Sequence, residues 1–170
     1  LVVISTAGEL SSKIPHGVKV VDLKVGRTLW ALSGLVRYLK QHSVDALLAA
    51  QPRVNVLAVI ARWLARSPVR LIVGEHSDLG QILKYETGEK IRSHLVRFFY
   101  PYADQVLAVS QGVANSLVRF AGIKPHHIRV IYNPLDLSAL DAKSADSSVH
   151  PWLLDATIPV ILAVGRLHFA

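Results

Sequence analysis

The sequence ADQVLAVSQGVANSLVRFAGIKPHHIRVIYNPLD, residues 103–136, contains a complete strand, helix and second strand. Residues 106–109 form a short apolar run that is typical of strands covered on both faces, as in a parallel sheet. Residues 128–132 repeat this pattern after the helix. Because such a crossover unit is right-handed and its strands are parallel, the loops at their carboxyl ends are predicted to face a ligand crevice.

Four small or polar residues mark the ends of the elements in this unit. The Ser110 hydroxyl is expected to accept a hydrogen bond as the cap of the helix, and Gly112 leaves room for another group to approach the backbone. Gly122 is predicted to end that helix, and Asn133 follows the second strand. Ser110, Gly112 and Asn133 are therefore predicted to line the crevice.

Composition limits the class of protein. The chain has 170 residues, 51% of them hydrophobic, which is enough for one complete core and a further piece. Zero cysteines exclude disulfides and thiolate metal sites, and no apolar run reaches the length of a membrane span. A formal net charge of +7 favours an anionic partner, whether a nucleic acid, an anionic lipid or a phosphorylated substrate. We expect a cytoplasmic protein, and the absence of methionine indicates an excerpt of a longer chain.

Strand-like and helix-like patterns alternate along the chain. Further apolar runs of strand type lie at residues 1–5, 18–23, 44–50, 69–73 and 158–164. Helical spacing of apolar residues is found at residues 29–39, 54–66 and 89–100. This alternation with short loops predicts an α/β fold built on an open, doubly wound parallel sheet.

Four segments of the chain resemble the retaining glycosyltransferases of family 4, which have the two-domain GT-B architecture. They are residues 103–114 continued by 128–136, residues 164–167, residues 75–77 and residues 52–57. The resemblance implies a Rossmann-like, acceptor-binding domain at residues 1–137, incomplete at its start. It also implies a linker at residues 138–157 and the first strand of a donor-binding domain at residues 158–170, so that the fold is truncated at both ends.

The resemblance also implies a reaction. A hexosyltransferase of this family moves a sugar from a nucleotide-diphosphate sugar to a glycan or lipid-linked acceptor with retention, without a metal or any cofactor beyond the donor. Arg166 matches the arginine that holds the donor diphosphate, and Gly165 before it permits close approach. A guanidinium at the end of a buried strand suits a diphosphate leaving group on physical grounds as well, although a surface arginine paired with an acid is the alternative.

Two other loops carry candidate site residues. His76 follows the strand-like run at 69–73, where a neutral imidazole can contact a sugar hydroxyl or an acceptor phosphate. The alternative is a loop histidine bound to Glu75 or Asp78. Glu75 itself is a candidate for the crevice lining, although solvation is the ordinary role of a loop carboxylate. Asn55 is expected to cap a helix that begins near residue 56, or else to direct its amide at the acceptor.

Other functions remain open at this point. The helix at 89–100, with Lys84 before it, is a candidate for peripheral contact with an anionic membrane, as an alternative to packing on the sheet. A non-catalytic basic α/β module that binds nucleic acid or another anion is a rival, but aromatic and basic residues do not alternate along one surface, so nucleic acid is not expected. A GT-B nucleotide-sugar epimerase is a second rival. The resemblance implies that most of the donor site lies outside the chain, so these 170 residues alone are expected to be inactive.

Overall fold

Parallel strands form the centre of the first of two units of the chain, which spans Leu1–Asn133. Four strands pair in sequence order, and two shorter ones form a separate parallel pair. The pair is β1 Val2–Val3 with β2 Val21–Asp22, and the larger sheet is β3 Ala46–Ala49, β4 Arg70–Glu75, β5 Gln105–Ala108 and β6 Ile128–Val130.

Helices connect and flank these strands. In the first unit they are α1 Ala31–Gln41, α2 Pro52–Ala65, α3 Leu79–Tyr85, α4 Lys90–Phe99 and α5 Gln111–Ser116. The predicted α/β class with parallel strands is thereby confirmed. The structure is a computed structural model, and it describes residues 1–4, 12, 14–26, 28–85, 90–135, 137–144, 150–154, 157, 159–161 and 163–164.

The central strands are apolar because both of their faces are covered. Leu71, Val73, Val106 and Ala108 are fully buried. Residues of β4 and β5 lie side by side in a parallel register that pairs Val73 with Val106 and brings Glu75 beside Ala108. The apolar runs that predicted strands therefore mark the core of this unit.

Helix α2 begins earlier than its periodicity predicts. Gln51 is its extended N-cap residue and Pro52 occupies the first turn, where a missing amide hydrogen costs nothing. The expectation that Asn55 caps this helix is wrong, because Asn55 already lies inside it. At the other end, Arg66 adopts a left-handed conformation with φ of 51°, and the helix stops before Ser67.

Helix α5 begins and ends as predicted but changes its winding on the way. Ser110 caps it, its hydroxyl accepting from the Val113 amide at 3.2 Å, and the turn that continues it ends at Gly122, which is left-handed with φ of 67°. Between them, Leu117–Ala121 forms a π-helical turn. Because a π turn departs from the 3.6-residue spacing, Val118 and Phe120 keep 38% of their surfaces exposed, whereas Val113 and Leu117 are buried.

The second unit spans Pro134–Ala170. Two helices, α6 Leu137–Ser144 and α7 Pro151–Leu154, lie in the segment predicted as a linker. In the described part of the predicted strand at 158–164, residues 159–161 and 163–164 have no regular secondary structure. Strands are held by hydrogen bonds to neighbouring strands, and no described residue pairs with these. The assignment of residues 158–170 to a donor-binding domain stays a prediction.

Candidate functional site

The carboxyl ends of β4, β5 and β6 lie at one edge of the larger sheet. The Val109 amide donates to the Glu75 carbonyl at 3.3 Å, and the Ile131 amide donates to the Ala108 carbonyl at 2.9 Å, so the pairing continues to the last residue of each strand. The segments that follow begin with His76, Val109 and Ile131. In a parallel α/β sheet this edge is where ligands bind.

Glu75 is the last residue of β4, and its side chain points into the protein. Its carboxylate is fully buried, with Oε1 accepting from the amides of His76 and Ser77 at 3.2 Å each. Oε2 accepts from the Tyr100 hydroxyl at 2.8 Å. The expectation of a solvated or crevice-lining carboxylate is therefore wrong. The carboxylate is buried, and it accepts hydrogen bonds from the turn that carries His76.

Asn55 lies opposite Glu75 in the same buried network. Its side-chain nitrogen donates to the Gly74 carbonyl and to the Tyr100 hydroxyl, both at 2.8 Å, and none of its surface is exposed. Its Oδ1 has no hydrogen-bond partner among the residues that the structure describes. Asn55 therefore ties the first turn of α2 to the end of β4, and its buried side chain does not line the crevice.

Tyr100 joins these two residues, and nothing in the sequence singled it out. It is fully buried in a short 3₁₀ turn, Tyr100–Tyr102, that follows α4. Its hydroxyl accepts from Asn55 and donates to Glu75. A tyrosine at the end of an apolar helix face is ordinarily a core residue, and only the tertiary contacts show that its hydroxyl closes a polar network.

His76 is exposed, and its ring lies over the end of β4. A Cβ atom added to Gly74 would be 3.6 Å from His76 Nε2, an ordinary van der Waals distance, so the imidazole lies beside the backbone of Gly74. The alternative in which Glu75 or Asp78 binds this ring is wrong. Glu75 faces inward, and Asp78 Oδ1 caps α3 by accepting from the amides of Gly80 and Gln81 at 2.7 and 3.3 Å.

The imidazole of His76 has no hydrogen bond within the described part of the chain. It is thus a donor and an acceptor at a sheet edge, held by a backbone that Glu75 fixes and open to a ligand. Groups of this kind suit the recognition of a hydroxyl or a phosphate oxygen. A charged cluster for metal binding is not found there: no three histidine, aspartate or glutamate side chains among the described residues are grouped for that purpose.

The remaining predicted site residues divide into three cases. Ser110 is half-buried and engaged as a helix cap. Gly112 is exposed, and a Cβ atom there would approach only Ser110 Oγ, at 3.7 Å, so its backbone is accessible; Asn133 is exposed as well. Gly165 and Arg166 lie outside the described residues, and their role with the donor diphosphate stays a prediction.

Asp104, near the start of the 103–136 stretch, forms contacts that stabilise the sheet. Its carboxylate forms an ion pair with Arg62 of α2 and accepts from the Leu71 amide at 2.7 Å. Partial burial raises the pKa of Asp104, but the Leu71 amide and the nearby charges of Arg62 and Arg70 outweigh it, so the pKa lies below its ordinary value. Asp104 therefore supports the amino-terminal edge of the sheet rather than the candidate site.

Comparison with known proteins agrees with this architecture. The family model for Glycosyltransferase Family 4 matches residues 3–139. Over 116 residues the chain is 29% identical to the N-acetylgalactosamine-N,N'-diacetylbacillosaminyl-diphospho-undecaprenol 4-alpha-N-acetylgalactosaminyltransferase of Campylobacter jejuni, covering 68% of this chain and 30% of that protein.

Among solved structures, the apo form of the lipopolysaccharide outer core galactosyltransferase WaaB superimposes with a TM-score of 0.53 at 21% identity. The superposition covers 71% of this chain and 32% of that one, and at this identity it shows the likeness of the fold. The chain thus spans about a third of the length of the relatives that it matches.

Proposed function

Since the chain belongs to Glycosyltransferase Family 4, we propose that the whole protein transfers a sugar from a nucleotide-diphosphate sugar to an acceptor hydroxyl, with retention of configuration. The observation that carries this proposal is the exposed imidazole of His76 at the carboxyl edge of the parallel sheet, without a protein partner within the described residues. The activity belongs to the longer protein, and residues 1–170 by themselves are proposed to be inactive.

The described residues suggest a division of roles. His76 contacts an acceptor or sugar hydroxyl, while the buried network of Glu75, Tyr100 and Asn55 holds the turn on which it is mounted. The amides beside Gly112 border the same edge. Arg166 is proposed to stabilise the negative charge that grows on the leaving diphosphate. No cofactor other than the donor sugar nucleotide is proposed.

Transfer with retention of configuration limits the role that His76 can have in the proposed reaction. In the proposed reaction the leaving phosphate oxygen takes the proton of the attacking hydroxyl, so that the imidazole orients the acceptor and is not required as a general base. A positioned hydrogen bond of this kind lowers the barrier by holding the reacting oxygen in place. The two ring nitrogens of the imidazole are proposed to supply these contacts to the acceptor.

We further propose a lipid-linked glycan as the acceptor. The relative from Campylobacter jejuni has a diphospho-undecaprenol-linked acceptor in its name, and it is similar to this chain over 116 residues. No helix in the described part of the chain is both long and apolar enough to cross a bilayer. Because a lipid-linked acceptor lies in a membrane, the protein is proposed to work at the cytoplasmic face of a membrane, with peripheral contact.

The test uses the full-length protein, a panel of nucleotide-diphosphate sugars and a polyprenyl-diphosphate-linked acceptor. The expected result is a lipid product longer by one sugar, with the anomeric configuration of the donor retained. Release of an epimerised sugar or nucleotide sugar without transfer would indicate an epimerase instead. Salt-sensitive binding of single-stranded nucleic acid, with no turnover of any nucleotide sugar, would assign the chain to a basic binding module.

A further inference from the structure

Ser116, the last residue of α5, has a buried hydroxyl that contacts two elements of the first unit. The hydroxyl donates to the Val113 carbonyl of its own helix at 2.9 Å. The same oxygen accepts from the Leu79 amide at 3.2 Å, although 37 residues separate the two in the chain. Ser116 therefore links α5 to the first residue of α3, at the point where the turn that carries His76 ends.

A second contact holds the same end of α3 close to the helical segment that continues α5. A Cβ atom added to Gly80 would lie 2.6 Å from Phe120 Cε2 and 3.0 Å from Phe120 Cζ. Side-chain carbons do not approach each other so closely, so this contact requires glycine. Phe120 belongs to the π turn Leu117–Ala121, and such turns are frequent at functional sites.

Three side chains accept hydrogen bonds from the backbone of residues 76–81. Glu75 accepts from the first two amides of this segment, and Asp78 accepts from the last two. Between these pairs, the Leu79 amide donates to Ser116. Glu75 borders the segment and Asp78 lies within it, whereas Ser116 comes from a distant part of the chain. Of these three acceptors, only Ser116 fixes the segment relative to α5.

Helix α5 borders the candidate site with its other end. Ser110 caps it beside the carboxyl edge of the sheet, and the backbone of Gly112 is accessible there. The helix has six residues and is therefore about 9 Å long. A contact at Ser116 thus connects the turn of His76 to the first turn of α5 through one short, rigid element.

We propose that Ser116 is a positioning residue for sugar transfer. It holds the start of α3 on α5, and it thereby sets the distance between the His76 imidazole and the first turn of α5. This inference rests on the proposed function, in which His76 orients the acceptor hydroxyl. Ser116 is buried and acts through His76 without touching the acceptor. Small displacements of an orienting group reduce the rate strongly, because the reacting atoms must be held close together and aligned.

A purely structural role for Ser116 predicts a different result. The loss of one buried hydrogen bond reduces the amount of folded enzyme, which lowers the apparent kcat and leaves the KM values of donor and acceptor unchanged. A displaced imidazole instead weakens the use of the acceptor alone. The value of kcat/KM for the acceptor then falls per folded molecule, while KM for the donor is unchanged.

Steady-state kinetics of the full-length protein, with a nucleotide-diphosphate sugar and a polyprenyl-diphosphate-linked acceptor, test the proposal. For Ser116→Ala we expect kcat/KM for the acceptor to fall about tenfold and KM for the donor to stay within about twofold. Ser116→Thr keeps a hydroxyl at this position and should recover most of the loss. Asn115→Ala is the matched control, because it removes only an exposed contact with Gln111 of the same helix, and its kinetics should equal those of wild type.

A double-mutant cycle shows whether Ser116 acts through His76. Once His76→Ala has removed the imidazole, adding Ser116→Ala should lower kcat/KM for the acceptor by less than about twofold more. The same tenfold loss in both backgrounds would overturn the proposal, and so would unaltered acceptor kinetics in Ser116→Ala.

A second variant tests the contact if Ser116→Ala does not fold. Gly80→Ala places a Cβ atom against the ring of Phe120, so it displaces the start of α3 while the Ser116 hydroxyl is kept. It should show the same loss for the acceptor alone. G80A/F120A removes the ring that the added methyl group meets, and it should regain part of the loss. Acceptor kinetics equal to those of wild type in Gly80→Ala would contradict the proposal.

Hydrogen–deuterium exchange separates this proposal from the proposed function. In Ser116→Ala we expect faster exchange over residues 76–81 and unchanged exchange in β5. If the wild-type protein transfers no sugar, the proposed function fails, and faster exchange in the variant still assigns the position of this turn to Ser116. Active transfer by wild type, with unchanged exchange and acceptor kinetics in Ser116→Ala, would retain the glycosyltransferase and refute the positioning role.

Discussion

The Tyr100 hydroxyl donates to Glu75 Oε2 across 2.8 Å, although 25 residues separate the two in the chain. The same hydroxyl accepts from the side-chain nitrogen of Asn55 at 2.8 Å. All three residues are fully buried. Through Glu75 the network reaches the amides of His76 and Ser77, so a contact deep in the core holds the exposed turn of the candidate site.

Tyr100→Phe should destabilise the protein by about 1–3 kcal/mol, since it removes one partner from each of two buried polar groups. The measurement is chemical denaturation of the full-length protein or of any shorter form that unfolds in one step. Tyr102→Phe is the matched control because it removes a hydroxyl from an exposed neighbour, and it should cost less than about 0.5 kcal/mol. Equal effects of the two changes would argue against the network.

The network also predicts coupling between its members. Asn55→Ala removes the donor to Tyr100 and to the Gly74 carbonyl. Combined with Tyr100→Phe, it should cost less than the sum of the two single changes by about 0.5 kcal/mol or more, because residues in one hydrogen-bond network are not independent. Strict additivity in this double-mutant cycle would show that the two contacts contribute separately.

His76→Ala should reduce transfer to the acceptor without loss of stability. The imidazole is exposed and forms no hydrogen bond within the described residues, so the fold does not depend on it. We expect kcat/KM to fall about tenfold to a hundredfold, the effect of one lost hydrogen bond to substrate. His94→Ala, an exposed histidine on α4, is the control. Unaltered kinetics for His76→Ala would remove this residue from the site.

The lowered pKa of Asp104 predicts that the stability of the protein depends on pH in the acid range. Its pKa is lowered in the folded protein from an ordinary value of 3.8, so its contribution is complete above that value and is lost as pH falls through the lower folded pKa. Asp104→Asn should therefore lower the free energy of unfolding at neutral pH, by less than about 1 kcal/mol because the pair is partly exposed.

The difference between wild type and Asp104→Asn should shrink below pH 3.8. Denaturation curves at a series of pH values measure it. In an Arg62→Met background the difference should be smaller at neutral pH, since one of the charges that lower the pKa is gone. A difference that is independent of pH would contradict the assigned cause.

Ser110→Ala should cost about 1 kcal/mol, because it leaves the Val113 amide at the start of α5 without its acceptor. Ser110→Asp keeps an acceptor at the same position and should retain most of the stability. Thermal unfolding of the three proteins under one set of conditions measures both effects. If the aspartate variant is as unstable as the alanine variant, the hydroxyl stabilises the protein by some other contact.

Local chemistry was enough to predict much of the fold. The β-branched runs that became β4 and β5, the cap at Ser110 and the left-handed glycine at 122 depend on residues within a few positions of each other. The position of His76 at the carboxyl edge of the sheet followed from the prediction of parallel strands alone. The resemblance of the 103–136 stretch to glycosyltransferases of family 4 was confirmed by the family match.

The sequence by itself thus determined the class of fold, the family and the position of His76, because hydrogen-bonding caps and strand patterns are local properties of the chain. Only the tertiary structure decided that Asn55 and Glu75 point inward to Tyr100, and that Trp63 points outward. Helix α2 is apolar around most of its circumference, so its pattern does not choose a buried side. That choice depends on which strands and helices pack against it, and these come from distant parts of the chain.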